Sequence, residues 1–133
     1  MPGRKSAFAP LLLGGGIGGL SAAYALFLRG IDVTVFEQAG TLREVGTGIT
    51  ISPNARRQLE GIGLWGAVEQ AGAKIGDGSE YYRMDGTIIG RILPTDSTGW
   101  NGTYGMHRAD MSKLLADALP QTAVRTGHRC IAL

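Results

Sequence analysis

At 133 residues the chain is long enough for one domain with a hydrophobic core and too short for two of ordinary size. Apolar residues make up 44% and charged residues 18%, the balance of a globular chain rather than a disordered one. The net charge of +2, spread over scattered Lys and Arg residues, is too small to argue for nucleic acid, and no nucleic-acid partner is expected.

Single-residue chemistry narrows the field further. Cys130 is the lone cysteine, so no internal disulfide framework exists, and this usage suits a reducing cytoplasmic setting. His107 and His128 have no second thiol beside them, and no metal-ligand spacing is present. The stretch from Ser6 to Leu28 carries no charge and follows Arg4-Lys5, in the manner of a signal peptide, with Ala23-Tyr24-Ala25 as a small-residue cleavage pattern. Gly14, Gly15, Gly16, Gly18 and Gly19 break that stretch where an unbroken apolar helix is required, so no membrane segment is expected.

The flanks of the glycines give them another meaning. Leu11-Leu12-Leu13 is a short, fully apolar run, as in a buried parallel strand, and Pro10 is tolerable only as its first residue. Ile17, Leu20, Tyr24, Phe27 and Leu28 recur at helical spacing, and Gly30 stops the helix. The run IDVTVFE, residues 31 to 37, alternates as a strand and ends in an acid. Strand, glycine turn, helix, strand and acid together form a Rossmann-like dinucleotide-binding βαβ unit of the α/β class.

Each part has a task in that unit. Gly14 permits the tight turn, Gly16 lets backbone N–H groups approach a pyrophosphate, and Gly19 lets the helix pack close. The phosphates lie at the positive end of the helix dipole. Glu37 stands eighteen residues past Gly19, placed to accept hydrogen bonds from an adenosine ribose. A carboxylate there repels a 2′-phosphate, which disfavours NADP. The choice between FAD and NAD stays open on these residues.

Further along, residues 42 to 64 run a glycine-bearing loop into a helix, with Ser52 as N-cap and Pro53 at the first helical position. Ala55, Leu59 and Ile62 give that helix a core face. Arg56 and Arg57 fall on its solvated side, and Trp65 covers a core edge. Residues 79 to 93 form two strand-like runs around Asp85-Gly86, a hairpin that interrupts the β-α-β order and belongs to a second layer. Met111, Leu114, Leu115, Ala118 and Leu119 mark a helix closed by Pro120. His107 and Arg108 in its first turn oppose the helix dipole. Either Asp110 offsets them, or Arg108 faces a bound anion.

Three stretches carry a resemblance. LLLGGGIGGLSAAYALFLRGIDVTVFEQ, EVGTGITISPNARRQLEGIGL and HRADMSKLLADAL resemble, in order and spacing, the N-terminal third of the FAD-dependent aromatic hydroxylases, the single-component, salicylate hydroxylase-like flavoprotein monooxygenases. The resemblance implies FAD in the glycine turn, with Gly14, Gly16, Ile17, Gly18 and Gly19 around the pyrophosphate. It implies Glu37 on the adenosine ribose with Gln38 beside it, and Gly48 and Thr50, after Gly46-Thr47, toward the flavin side. Arg108 corresponds to an arginine that touches the cofactor. Cys130, on a strand-like RCIAL, corresponds to a backbone contact at the adenine end, with a buried, small apolar side chain.

The implied reaction is oxygenation of a small aromatic substrate at a flavin reduced by NADH or NADPH. The family also uses an Asp-Gly motif and a later Gly-Asp motif, and neither occurs here; Asp85-Gly86 and Gly76-Asp77 stand in the wrong context. No catalytic base is identifiable. The expectation is therefore an incomplete FAD-binding domain over residues 1–133, its 79–93 hairpin belonging to the substrate-side layer, inactive alone. Parallel strands are expected near 11–13, 32–36 and either 123–125 or 129–133. The competing readings are a small NAD-binding oxidoreductase and a non-catalytic dinucleotide-binding module.

Overall fold

The structure is a computed structural model and describes residues 9–42, 47–75, 79–92 and 102–132. Gly46, Gly76-Asp77, residue 93 and Leu133 lie outside the described residues. In chain order the elements are β1 (Leu11–Leu13), α1 (Ile17–Phe27), β2 (Thr34–Phe36), β3 (Gly48–Ile51), α2 (Pro53–Gly61), α3 (Trp65–Ala71), β4 (Ala73–Lys74), β5 (Ser79–Tyr82), β6 (Ile88–Ile92), β7 (Tyr104–His107), α4 (Arg108–Asp117) and β8 (Val124–Arg125). They divide into two compact units, one of Met1–Thr47 with His107–Leu133, the other of Gly48–Met106.

The first unit is built on a parallel sheet of order β1-β2-β8. Leu11, Leu12 and Leu13 pair with Thr34, Val35 and Phe36, and Val35 pairs onward with Val124. Val35, at the centre, is 0% exposed, as are Leu20 and Ala23 of α1. α4 packs against α1 and adds Met111 and Leu115 to the same core. Burial of these side chains is the driving force of the unit, but Leu11 and Leu13 of β1 and Phe27 and Leu28 at the end of α1 stay exposed, contrary to the fully buried strand and continuous helix stripe expected.

The second strand is shorter than the sequence pattern. Gly30 sits at φ +71° and its N–H donates to the Phe27 carbonyl, while the Ile31 N–H donates to Leu26. This pair of bonds is the Schellman closure of α1. It occupies the Ile31 donor, so ladder pairing begins only at Thr34, whose N–H reaches the Pro10 carbonyl at 3.2 Å. Pro10 precedes β1, where its missing N–H is not needed.

The third parallel strand is β8, the earlier of the two expected positions. Residues 129–132 form no strand. Gly127, at φ +71°, turns the chain, and the N–H groups of Gly127 and His128 donate to the carbonyls of Ala39 and Glu37. The tail therefore crosses beyond the end of β2 instead of pairing along the sheet. Cys130 is exposed as a consequence, contrary to the buried side chain expected of a strand.

The second unit holds a sheet of order β3-β7-β4, with β4 and β7 antiparallel, and a separate two-stranded hairpin of β5 and β6. Ile51, Leu59, Leu64, Val68, Tyr104 and Met106 are its buried residues. Pro53 opens α2 as expected, but the Ser52 hydroxyl is bonded to the Asn54 side chain and does not cap the backbone. Arg56 is not simply solvated. Its guanidinium lies 4.7 Å from the centre of the Trp65 ring and 2.7 Å from Glu60, while Trp65 meets Tyr104 edge-on.

The hairpin turn is longer than a two-residue turn. The Arg83 N–H donates to the Thr87 carbonyl, and Gly86 alone adopts positive φ, at +86°. A two-residue turn of the Asp-Gly kind needs positive φ at both positions, and Asp85 instead spends its carboxylate on the Thr87 N–H at 2.9 Å.

Candidate functional site

The glycine turn follows β1 directly. The Gly14 N–H donates to the Phe36 carbonyl at 2.8 Å, adding one last rung to the ladder, and then φ at +106° swings the chain away from the sheet. A side chain is strained at that φ. Gly19 is compelled for another reason: a Cβ there would stand 2.0 Å from the Gly14 carbonyl oxygen. Helix and turn touch backbone to backbone.

Gly16 and Gly18 have nothing within 4 Å of a would-be Cβ. Their lack of a side chain leaves open space ahead of α1, whose first turn contains Ile17. Gly16 is the N-cap, no side chain caps the helix, and the first turn holds no acid. The orphan N–H groups and the positive end of the dipole there are unmatched by any side-chain oxygen. That combination is what an incoming anion requires.

Gly15 is the residue that the motif alone does not explain. Its N–H donates to Glu37 Oε2 at 2.6 Å, and a Cβ would fall 3.0 Å from the Glu37 Cβ and 2.9 Å from Leu42 Cδ2. The other Glu37 oxygen, Oε1, accepts from the Ala39 N–H at 2.8 Å. The Ala39 bond, then the Gly15 bond, hold the Glu37 carboxyl below the usual carboxylate range against a smaller opposing effect of burial, and the Gln38 N–H adds to them. Glu37 is ionised, fixed in orientation, and still has lone pairs to offer to hydroxyl donors.

Two cavities border this carboxylate. The larger, about 190 Å³, is lined by Leu13, Gly14, Phe36, Glu37, Gln38, His128, Arg129 and Cys130. The His128 and Phe36 rings lie 5.5 Å apart, and His128 Nδ1 is 2.7 Å from the Thr126 carbonyl oxygen. His128 and Arg129 had no signal in the sequence, because only the Gly127 turn brings them here. The smaller cavity, about 120 Å³, is lined by Gly15, Gly16, Glu37, Ala39, Thr41, Leu42 and Ser112. Ser112 did leave a trace: a hydroxyl on the apolar stripe that Leu115 and Leu119 continue.

The structure thus gathers Gly14, Gly16, Glu37, Gln38 and Cys130 around one carboxylate, with Ile17, Gly18 and Gly19 on the adjoining helix. Arg108 opens α4, exposed, with its N–H donating to the Thr47 carbonyl at 3.0 Å, and it lines neither cavity. Gly48 and Thr50 lie on β3 in the second unit, and both are exposed. Among the described residues there is no metal-binding group of His, Cys, Asp or Glu, and no helix is long and apolar enough to cross a membrane.

Comparison with known proteins gives likenesses in sequence and in fold. The NAD(P)-binding Rossmann-like domain family matches residues 13–50. The 3-amino-4-hydroxybenzoate 2-monooxygenase of Streptomyces cremeus is 36% identical over 124 residues, covering 90% of this chain and 31% of the relative. The 3-hydroxybenzoate 6-hydroxylase of Polaromonas naphthalenivorans is 34% identical over 116 residues, covering 84% of this chain and 29% of the relative. Among solved structures, the tetrameric 2-methyl-3-hydroxypyridine-5-carboxylic acid oxygenase superimposes with a TM-score of 0.76 at 26% identity, over 94% of this chain and 32% of that one. Klebsiella pneumoniae HpxO, complexed with FAD and uric acid, shares the fold with a TM-score of 0.74 at 23% identity, over 95% of this chain and 32% of that one. The chain spans about a third of the length of the curated relatives it matches. In sequence and in fold it matches a Rossmann-type α/β portion, about one third, of the FAD-dependent aromatic monooxygenases.

Proposed function

We propose that this chain is the FAD-binding part of an NAD(P)H-dependent flavoprotein monooxygenase that hydroxylates a small aromatic compound in the cytoplasm. The observation that carries the reading is the Glu37 carboxylate, held by Gly15 and Ala39 at the end of β2, beside an uncapped α1 N-terminus behind open glycines. An adenine dinucleotide needs both features at once, a hydroxyl acceptor for its ribose and an anion seat for its pyrophosphate.

In this reading Gly16 and Ile17 present N–H groups to the pyrophosphate, and Gly14, Gly18 and Gly19 shape the approach. Glu37 accepts from the ribose hydroxyls and Gln38 flanks it. The adenine end lies along the cavity of Phe36, His128 and Cys130, with Cys130 contributing backbone rather than its thiol. Arg108 serves the cofactor's anionic stretch, and Gly48 and Thr50 its flavin side. When bound, FAD supplies redox chemistry, reduction by NADH or NADPH and reaction with oxygen. The residues of this chain bind and orient it.

The whole of residues 1–133 is assigned to the FAD-binding domain, and the β5–β6 hairpin to its substrate-side layer. The small aromatic substrate is inferred from relatives named for hydroxybenzoates. The matched Rossmann-like family is described as NAD(P)-binding, so a small NAD-binding module is the second reading. Titration of the purified chain with FAD, NAD and NADP in parallel separates them. FAD binding at least tenfold tighter than NAD, with NADP weakest, is the expected order. NAD binding as tight as FAD overturns the flavin reading.

A further inference from the structure

We propose that Ser112 is a phosphate-binding residue of this dinucleotide site, its hydroxyl donating to a pyrophosphate oxygen seated between α4 and the N-terminus of α1. The inference rests on the FAD reading and extends it to an element that the glycine motif does not include.

Ser112 is 2% exposed, and its Oγ is the one buried side-chain oxygen or nitrogen among the described residues without a hydrogen-bond partner. Buried hydroxyls are normally paired, and a serine within a helix ordinarily bonds the carbonyl four residues back when nothing else is offered. Here the side chain instead lines the cavity of about 120 Å³ whose other wall is Gly15 and Gly16. That volume holds about four waters, or one compact polar group of similar size.

The charges around the cavity set the occupant's shape. The α1 N-terminus is positive, uncapped and without an acid in its first turn, which suits an anion. Glu37 borders the same space and repels one, but its oxygens suit hydroxyl donors. A sugar joined to a diphosphate satisfies both walls in one molecule. The sugar hydroxyls turn to Glu37, and the phosphate turns to Gly16 and Ser112. Inorganic phosphate alone matches only half of the site.

The test uses the full 133-residue chain, with FAD, ADP and adenosine as probes. Ser112→Ala is expected to weaken FAD and ADP by about tenfold, the effect of one hydrogen bond to a charged group, and to leave adenosine unchanged. The melting temperature of the ligand-free variant should hold or rise, because alanine removes an unpartnered hydroxyl. Ser112→Cys, which nearly keeps the volume but donates weakly, is measured beside it and should show the same selective loss. FAD affinity retained within twofold in either folded variant overturns the proposal. So does an equal loss for adenosine and ADP, which marks a packing defect. If the unaltered chain binds neither FAD nor ADP, the dinucleotide reading itself fails and this inference falls with it.

Discussion

Gly15 and Glu37, twenty-two positions apart, meet through one hydrogen bond of 2.6 Å from the backbone N–H to the carboxylate. The contact ties the glycine turn to the end of the second strand, and the missing side chain of Gly15 permits the close approach. Replacing Gly15 with alanine places a Cβ against Glu37 and Leu42 at about 3 Å. Overpacking of this kind costs about 1–3 kcal/mol. The expected result is a lower urea midpoint together with weaker FAD binding, since the displaced carboxylate is the proposed ribose acceptor.

Glu37→Gln keeps the shape and removes the charge. Loss of a charge-assisted hydrogen bond to the ribose is expected to weaken FAD by about 1–3 kcal/mol in a fluorescence titration. Unchanged affinity removes Glu37 from the site.

The same residue sets a pH dependence. The Ala39 and Gly15 N–H groups lower the Glu37 pKa in the folded chain relative to the unfolded one. Its contribution to stability is therefore present in full above the ordinary glutamate range and is lost as pH falls through the depressed folded value. Thermal melts of the wild type and Glu37→Gln across acidic pH should differ by a constant amount near neutrality and converge on acidification. A difference that grows as pH falls contradicts the assigned hydrogen bonds.

Two glycines one position apart should behave oppositely. Gly19→Ala drives a Cβ to 2.0 Å from the Gly14 carbonyl oxygen, and the turn must break or the helix shift. Gly18 faces open space within α1, so Gly18→Ala should stabilise the helix by up to about 1 kcal/mol. Chemical denaturation of the two variants reads both signs directly.

Much of the first unit was legible because its signals are local. The apolar run places β1 and the helical spacing and Gly30 stop place α1, but the pattern misreads burial, since Leu11, Leu13, Phe27 and Leu28 are exposed. Ser52-Pro53 and the Asp85-Gly86 turn placed α2 and the hairpin for the same reason. What escaped depends on tertiary pairing. Ile31 looked like strand, but its N–H is claimed by Leu26. Cys130 looked like buried strand, but Val124 and Arg125 already hold that side of β2, and Gly127 diverts the tail. His128 reaches the site only through that diversion. The Gly15–Glu37 bond joins residues twenty-two positions apart, and the glycine and acid pattern does not by itself specify it.

Catalysis demands reacting groups held within reach of one another, and misplacement by an ångström costs orders of magnitude. In the proposed reading the residues gathered here hold a dinucleotide, and none is placed as a base. The 133-residue chain with FAD, NADH or NADPH and 3-hydroxybenzoate is expected to give no hydroxylated product. Coupled turnover shows instead that these residues suffice.

In the proposed reading the glycine turn and Glu37 together hold the adenylate half of FAD. A crystal structure of the chain with FAD tests it most directly. The expected structure has the pyrophosphate within hydrogen-bond distance of the Gly16 and Ile17 N–H groups, with the ribose hydroxyls on Glu37 and the Gly15 bond retained. A pyrophosphate seated away from the α1 N-terminus, or a ribose that does not touch Glu37, contradicts it.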